Sequence, residues 1–230
     1  MAYDWILFDA DNTLFDFNHS QTVALRQSIE AMDIPYQAHY LPTYHEINQA
    51  CWRDFEKGTI TQLQLRSLRF ANFLDAIGFH RDPSKFNERY LDFLAQTDFL
   101  LPNARPLLEQ LQTNFQLAII TNGLKEVQRR RIHKANLDHY FQAIIVSDEI
   151  GHAKPHAPFF EYTFNAIGHP NKSKVLVVGD SLNSDIRGGE AFGLDTCWVN
   201  LHQQPNLSKI KPTYEIHALE ELLSIIHSAA

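Results

Sequence analysis

Tyr3-Asp4-Trp5-Ile6-Leu7-Phe8-Asp9-Ala10-Asp11-Asn12-Thr13-Leu14-Phe15 begins as an apolar run, Trp5 to Phe8, and breaks into Asp9-x-Asp11-x-Thr13. A short apolar run that ends on turn-forming residues predicts a buried strand. Its two carboxylates then fall where the strand stops. In open α/β sheets ligands sit outside the carboxyl ends of the strands, so the pair is placed like a site. The plainer alternative is an Asp/Asn-rich turn that merely ends a strand. Residues far along the chain decide between the two.

Composition narrows the function classes. The chain has 230 residues, 44% hydrophobic and 20% charged, which is ordinary globular content and argues against disorder. Net charge is −7 and there is no basic stripe, so a nucleic-acid backbone is excluded as a partner. Small phosphorylated ligands stay open, because they need a local site and not a basic surface. Cys51 and Cys197 stand far apart and outside any C-x-x-C pair, so neither a disulfide framework nor a zinc site is expected. Two reduced, buried thiols in a cytoplasmic protein are the default. No membrane span or signal peptide is expected, since Asp4 and Asp9 interrupt the only apolar run near the start. None of the twelve histidines falls in H-E-x-x-H. The sequence carries no signature of an oligomeric state.

Two patterns follow the opening stretch. From about His19 to about Thr97 helical periodicity recurs without a convincing strand. Val23, Leu25, Ile29 and Met32 fit one stripe, and Leu63, Leu65, Leu68, Phe70, Phe73, Leu74 and Ile77 suggest a second, longer helix that Gly78 closes. A further helix begins near Pro83-Ser84, and residues 43–56 predict one more. This span is too long for a crossover connection and reads as an inserted helical subdomain. After Leu100 strands alternate with helices: strands at 115–120, 143–146, 175–178 and 196–199, helices at 102–111, 125–135, 157–166, before Gly193, and 220–226. Alternation of this kind implies βαβ units and a doubly wound parallel sheet, an α/β Rossmann-like core that strand 1 joins. The domain expectation is a core of residues 1–16 and 98–230 with a helical cap of residues 17–97.

Polar groups of one kind stand at the predicted strand ends. They are Asp9 and Asp11, then Thr121 and Asn122, then Lys154 in Gly151-His152-Ala153-Lys154-Pro155, then Asp180 and Asp185. Clustered carboxylates repel and hold protons unless a cation is present, and an oxygen-only set suits Mg²⁺. A hydroxyl, backbone N–H groups and a lysine beside it make a phosphate-sized anion site. A carboxylate there can act as nucleophile, and a second one two residues on can protonate the leaving oxygen and then activate water. The chemistry deduced is phosphoryl transfer through an aspartyl-phosphate. Singly, each element has a plainer reading: a turn, an exposed loop lysine, an N-cap, a helix-dipole charge. Four coincidences in chain order outweigh them. No G-x-x-x-x-G-K-[ST] and no G-x-S-x-G is present, which removes the P-loop and serine-hydrolase readings.

Asp9-Ala10-Asp11-Asn12-Thr13, Thr121, Lys154 and Gly179-Asp180-Ser181-Leu182-Asn183-Ser184-Asp185 together resemble the haloacid dehalogenase superfamily of phosphohydrolases. The resemblance implies Asp9 as nucleophile and Mg²⁺ ligand, and Asp11 as general acid/base with its backbone carbonyl on the metal. It implies Thr121 and the Asn122 amide on the phosphoryl group, Lys154 neutralising charge, Asp180 on the metal, and Asp185 in support. Mn²⁺ is the alternative ion. Asp11 favours phosphate chemistry over the dehalogenase branch. Segments 3–11, 52–61, 184–189 and 197–200 look like the bacterial pyrimidine 5′-nucleotidases. That likeness implies a small-molecule phosphate ester as partner, a (deoxy)uridine or thymidine monophosphate. Phe15, Phe17, Trp52 and Phe55 are candidates for stacking its base, against the plainer reading of cap packing. Phosphatases for phosphoglycolate or sugar phosphates, phosphosugar mutases, and a phosphoacceptor signalling domain are the alternatives. The last fits poorly with so large a helical insertion.

Overall fold

The structure, a computed structural model, describes residues 3–228; the outermost residues of the expected core segments, 1–2 and 229–230, lie outside the described residues. Six parallel strands run in the order β3-β2-β1-β4-β5-β6, with β1 Trp5–Phe8, β2 Gln116–Thr121, β3 Ala143–Val146, β4 Val175–Gly179, β5 Asp195–Val199 and β6 Tyr214–Ile216. β1 is central, with Phe8 level with Ile119 on β2 and Val178 on β4. Strand order reverses on either side of β1, so the loops after β1, β2 and β4 open at the switch point where such sheets bind ligands.

Both sheet faces are buried. Ile6, Phe8, Leu117 and Ile119 join one apolar cluster, while Leu7, Ala118, Ile120 and Val177 join another on the opposite face. Alternate side chains thus enter opposite cores, which is why these strands read as unbroken apolar runs.

Between β1 and β2 lie α1 Phe17–Ala31, α2 Tyr40–Glu56, α3 Gln62–Ala76, α4 Pro83–Ala95 and α5 Ala104–Leu111. The first four share a third apolar cluster, centred on Tyr44, Phe70, Phe73, Phe86 and Tyr90, which also takes in Leu124 and Val127. Their starts are marked in the sequence. Asp16 accepts from His19 N at 2.9 Å, Thr61 and Gln64 form a reciprocal capping box, and Asp82 caps a helix whose first residue is Pro83. α1 packs on α4, α2 on α3, and α4 on α6 Lys125–Lys134. The segment enters and leaves through one narrow neck: Asp16 N donates to Phe99 O at 3.0 Å and Leu101 N to Leu14 O at 2.9 Å.

The remaining helices are α7 Ser147–Ile150, α8 Ala157–Ala166, α9 Arg187–Phe192 and α10 Glu221–Ser228, with a wide π-type turn over Leu182–Ile186 before α9. β6 is not predicted from the sequence. It is three residues long with Glu215 exposed at its centre, so it has no apolar run to reveal it. α2 begins three residues before the sequence reading puts it, at Tyr40, whose ring is buried against Phe73. Cys51 and Cys197 are both buried and unbonded, and burial pushes the Cys197 thiol up to about 12. Among the described residues no helix is long and apolar enough to cross a membrane.

Candidate active site

The apolar run of β1 ends at Phe8, and the backbone then folds into a tight loop. Leu14 N and Phe15 N both donate to Ala10 O at 2.9 Å, and Asn12 takes a left-handed φ of 58°, which Asn tolerates better than most residues. Asp9 is thereby held at the strand tip, 7% exposed, and Thr13 Oγ1 donates to its Oδ2 at 3.2 Å.

Lys154 joins three of the strand ends. Its ammonium, 1% exposed, donates to Asp9 Oδ1 at 2.8 Å, Asp185 Oδ1 at 2.6 Å and Ile120 O at 2.6 Å. That uses all three of its protons. Burial works against the charge, but the two carboxylates outweigh it and the ammonium is held above its ordinary range. Asn122 fixes the lysine backbone. Its Nδ2 donates to Lys154 O at 2.9 Å, and its Oδ1 accepts from Lys154 N at 2.8 Å. The Asn122 side chain is therefore tied to the lysine backbone, which leaves its own backbone N–H to face an anion.

Asp185 is 1% exposed and also accepts from Ser181 N at 3.1 Å, so both of its oxygens are engaged. The close approach depends on Gly179, where a Cβ would stand 2.4 Å from the Asp185 carboxyl carbon. Trp198 Nε1 donates to Asp180 O at 2.8 Å and fixes the backbone there.

Asp9, Asp180 and Asp185 bring one oxygen each within 4.8 Å of one another. Among the described residues Lys154 is the single cation in direct contact with them. The excess of negative charge shows in their proton affinities. Burial pushes Asp9 up to about 7, with Lys154 pulling it back and Asp185 pushing further. Asp180 is held well above the carboxylate range by burial, then by Asp9 and Asp185. Three carboxylates against one ammonium leave the set short of positive charge, and its all-oxygen donors match Mg²⁺ in kind.

Asp11 stands outside this group of three and is held from α6. Arg131 Nη1 donates to Asp11 Oδ1 at 2.5 Å, and Gln128 Nε2 donates to Oδ2 at 2.5 Å. Gln128 also donates to Thr121 Oγ1 at 3.3 Å, and Gly123 N donates to the same hydroxyl at 3.0 Å. Arg131 is fully buried, lies 4.5 Å from the Phe15 ring centroid, and donates to Ser20 Oγ of α1 at 3.3 Å. Sequence reading missed both Gln128 and Arg131. They sit in Val127-Gln128-Arg129-Arg130-Arg131, where adjacent arginines read as a solvated face, and only the i, i+3 spacing hints at a shared one.

Asp9, Asp11, Thr121, Asn122, Lys154, Asp180 and Asp185 all line one cavity of about 290 Å³. Phe17 and Trp52 line it as well. Phe55 does not. It meets Trp52 edge-on at 5.7 Å and faces a separate hollow beside Gly58 and His152. Phe15 is fully buried in the sheet core. The wall opposite the acids comes from the helices between β1 and β2, through Gln21, Asn48, Trp52, Glu56 and Arg69. Burial raises the Glu56 carboxyl, and Asp185 raises it further.

Comparison with known proteins shows the family. The family profile described as haloacid dehalogenase-like hydrolase matches residues 3–193. YfnB of Bacillus subtilis, named a HAD-hydrolase, is 38% identical over 98% of this chain and 96% of its own. Its magnesium-bound crystal structure, described as revealing interdomain movement, superposes with a TM-score of 0.94 over 98% of this chain and 99% of that one. YjjG of Escherichia coli, named a pyrimidine 5′-nucleotidase, is 36% identical over 98% of this chain and 99% of its own. PynA of Streptococcus pneumoniae, which bears the same enzyme name, is 34% identical over 98% and 96%.

Proposed function

Because the chain belongs to the haloacid dehalogenase-like hydrolases, we propose that it is a Mg²⁺-dependent phosphomonoesterase acting in the cytoplasm. Its substrates are pyrimidine (deoxy)nucleoside monophosphates such as UMP, dUMP and dTMP. The observation that carries the phosphatase reading is the surplus of carboxylate over cation around Asp9, in one cavity with the Thr121 hydroxyl. The nucleotide reading is supported by the names of the two relatives, YjjG and PynA, that match over nearly their full length.

Asp9 and Asp180 would hold the metal together with the Asp11 backbone carbonyl, and Mn²⁺ could replace it. Bound Mg²⁺ supplies positive charge that lowers the Asp9 proton affinity and offsets the charge of the phosphate. Asp9 Oδ then attacks phosphorus. The Asp9 O–P bond forms as the ester P–O bond breaks, giving an aspartyl-phosphate. Asp11 gives a proton to the departing 5′ oxygen, then takes one from the water that attacks the same phosphorus and frees Asp9. Lys154 keeps Asp9 aimed and shares its charge, with Asp185 holding the lysine in turn. Thr121 Oγ and the Asn122 backbone N–H bind the phosphoryl oxygens. Residues 17–97 act as a cap over a core of 1–16 and 98–230, and their closure excludes water.

The test is phosphate release with Mg²⁺ across nucleoside monophosphates, sugar phosphates and phosphoglycolate, compared by kcat/KM. Pyrimidine monophosphates are expected to lead, and Asp9→Asn to reduce release to background. Near wild-type turnover by Asp9→Asn, or UMP and dTMP among the poorest esters, would overturn the reading.

A further inference from the structure

The wall opposite the acids carries a cation that the phosphate chemistry does not use. Arg69, on α3, is 3% exposed and lines the same cavity as Asp9 and Lys154. Among the described residues no carboxylate pairs with it. Its Nη1 donates to Asn48 Oδ1 at 3.4 Å and its Nη2 to Asn87 Oδ1 at 3.1 Å, both neutral amides. Its Nε has no partner. The guanidinium rests against Phe70 and Tyr90, 4.7 and 5.2 Å from their ring centroids, which holds it in place without supplying an acceptor. That Nε is shut off from solvent, but the residue lines the cavity and its acceptors are neutral amides alone, so the remaining Nη–H groups are the ones available to a ligand.

The neighbouring amides continue this polarity. An arginine only donates, so Asn48 must turn Oδ1 toward it. That leaves Asn48 Nδ2 to donate to Gln21 Oε1, at 3.5 Å. Gln21 is 6% exposed and lines the cavity, and with its oxygen so used it has only N–H groups left to offer. Each amide oxygen of the set already takes a hydrogen bond inside the protein. The N–H groups of Arg69 and Gln21 are left toward the cavity beside Phe17, Trp52, Leu91 and Val127, on a wall that also carries the Glu56 carboxyl.

We propose that Arg69, held by Asn48 and Asn87 and extended by Gln21, reads the base of the substrate and selects a ring that presents carbonyl oxygens over one that presents an amino group. The assignment rests on the nucleotidase reading. Uracil and thymine carry a carbonyl on each side of N3–H, so the donors meet an acceptor. Cytosine replaces one carbonyl by an amino group, which sets donor against donor and leaves both unpaired.

The experiment compares kcat/KM for UMP, CMP and ribose 5-phosphate, which is the same ester without its base. The enzymes are wild type, Arg69→Met and Gln21→Met, each with saturating Mg²⁺. Wild type is expected to prefer UMP over CMP by about 100-fold. Arg69→Met is expected to lose about 10- to 100-fold on UMP, to bring UMP and CMP within about fivefold, and to change ribose 5-phosphate by less than about threefold. An unchanged UMP-to-CMP ratio overturns the proposal. So does an equal loss on ribose 5-phosphate, which would make Arg69 a packing residue. If Arg69→Met does not fold, Gln21→Met decides, with about a tenfold loss on UMP and a reduced ratio expected and an unchanged ratio overturning it. Failure of the nucleotidase reading has its own signature: wild type would hydrolyse ribose 5-phosphate at least as well as UMP, and the base assignment would fall with it.

Discussion

Lys154 and Asp11 show how differently two neighbouring charges are held. Lys154 has no free proton and no freedom, so it serves as a fixed charge. Asp11 is gripped from α6 by Arg131 and Gln128, 24% of its side chain is exposed, and it faces the cavity. The proton-transfer role proposed for Asp11 needs that access. Asp11→Asn is expected to lower kcat on UMP by about 10²–10⁴, the usual worth of a general acid. The loss on p-nitrophenyl phosphate is expected to be far smaller, because that leaving group departs without a proton. Equal losses on the two esters would show that Asp11 does not protonate the leaving oxygen. Asp9, Asp11, Thr121, Lys154, Asp180 and Asp185 were legible in the sequence because each interrupts or follows an apolar run. Gln128, Arg131 and Arg69 were not. A polar residue buried by its neighbours has the same letter as one in water, and helical spacing does not tell which face meets a partner until the partner is placed. Phe55 illustrates the converse, since it lies just beyond the α2 face that carries Asn48, Trp52 and Glu56.

At the scale of elements, one ion-pair group ties the helices between β1 and β2 to the sheet side. Arg66 on α3 bonds Glu126 on α6 at 2.5 Å and Asp148 on α7 at 3.0 Å. Burial raises the Glu126 carboxyl, but the Arg66 hydrogen bond, a backbone hydrogen bond and the Arg66 and Lys125 charges together outweigh it, and the net shift is downward. A depressed folded pKa gives stability that is present above the unfolded Glu value of about 4.3 and lost as pH falls through the folded value. Glu126 is 36% exposed on its side chain, so screening keeps the effect small. Arg66→Met is expected to cost about 1 kcal/mol or less at pH 7. The difference from wild type should shrink as pH drops below about 4. Urea denaturation at both pH values checks it, and a difference that grows on acidification would contradict the assignment. The strands themselves were legible to within a residue or so, since a doubly covered sheet needs continuous apolar runs. β6 was not, because pairing with β5 and not its own composition makes it a strand.

For the molecule as a whole, the acid cluster is a built-in destabilising charge that a divalent ion would relieve. An acid whose folded pKa is raised destabilises the fold above its unfolded value, and Asp180 is such an acid at neutral pH. Magnesium at about 100-fold over its Kd is expected to add about 2.7 kcal/mol. For a chain of this size that is roughly 5–10 °C in Tm. Asp180→Asn is expected to raise Tm in the presence of a chelator and to abolish most of the Mg²⁺ response. Scanning calorimetry of both proteins with and without Mg²⁺ decides, and a full response in the variant would remove Asp180 from the metal site.

The neck at residues 14–16 and 99–101 has a consequence for how such a chain can be altered. The two backbone hydrogen bonds that join its sides lie below every helix from α1 to α4. The sheet therefore meets the intervening helices at a junction whose ends already lie side by side, the arrangement that tolerates insertion best. A different helical cassette spliced in at Phe17 and Asp98 would leave every strand and register as they are, provided that it covers Leu124 and Val127 and meets Arg131 in place of Ser20. The reagent would stay the same while the lock above it was recut, which is one route by which a single catalytic sheet can come to serve many esters.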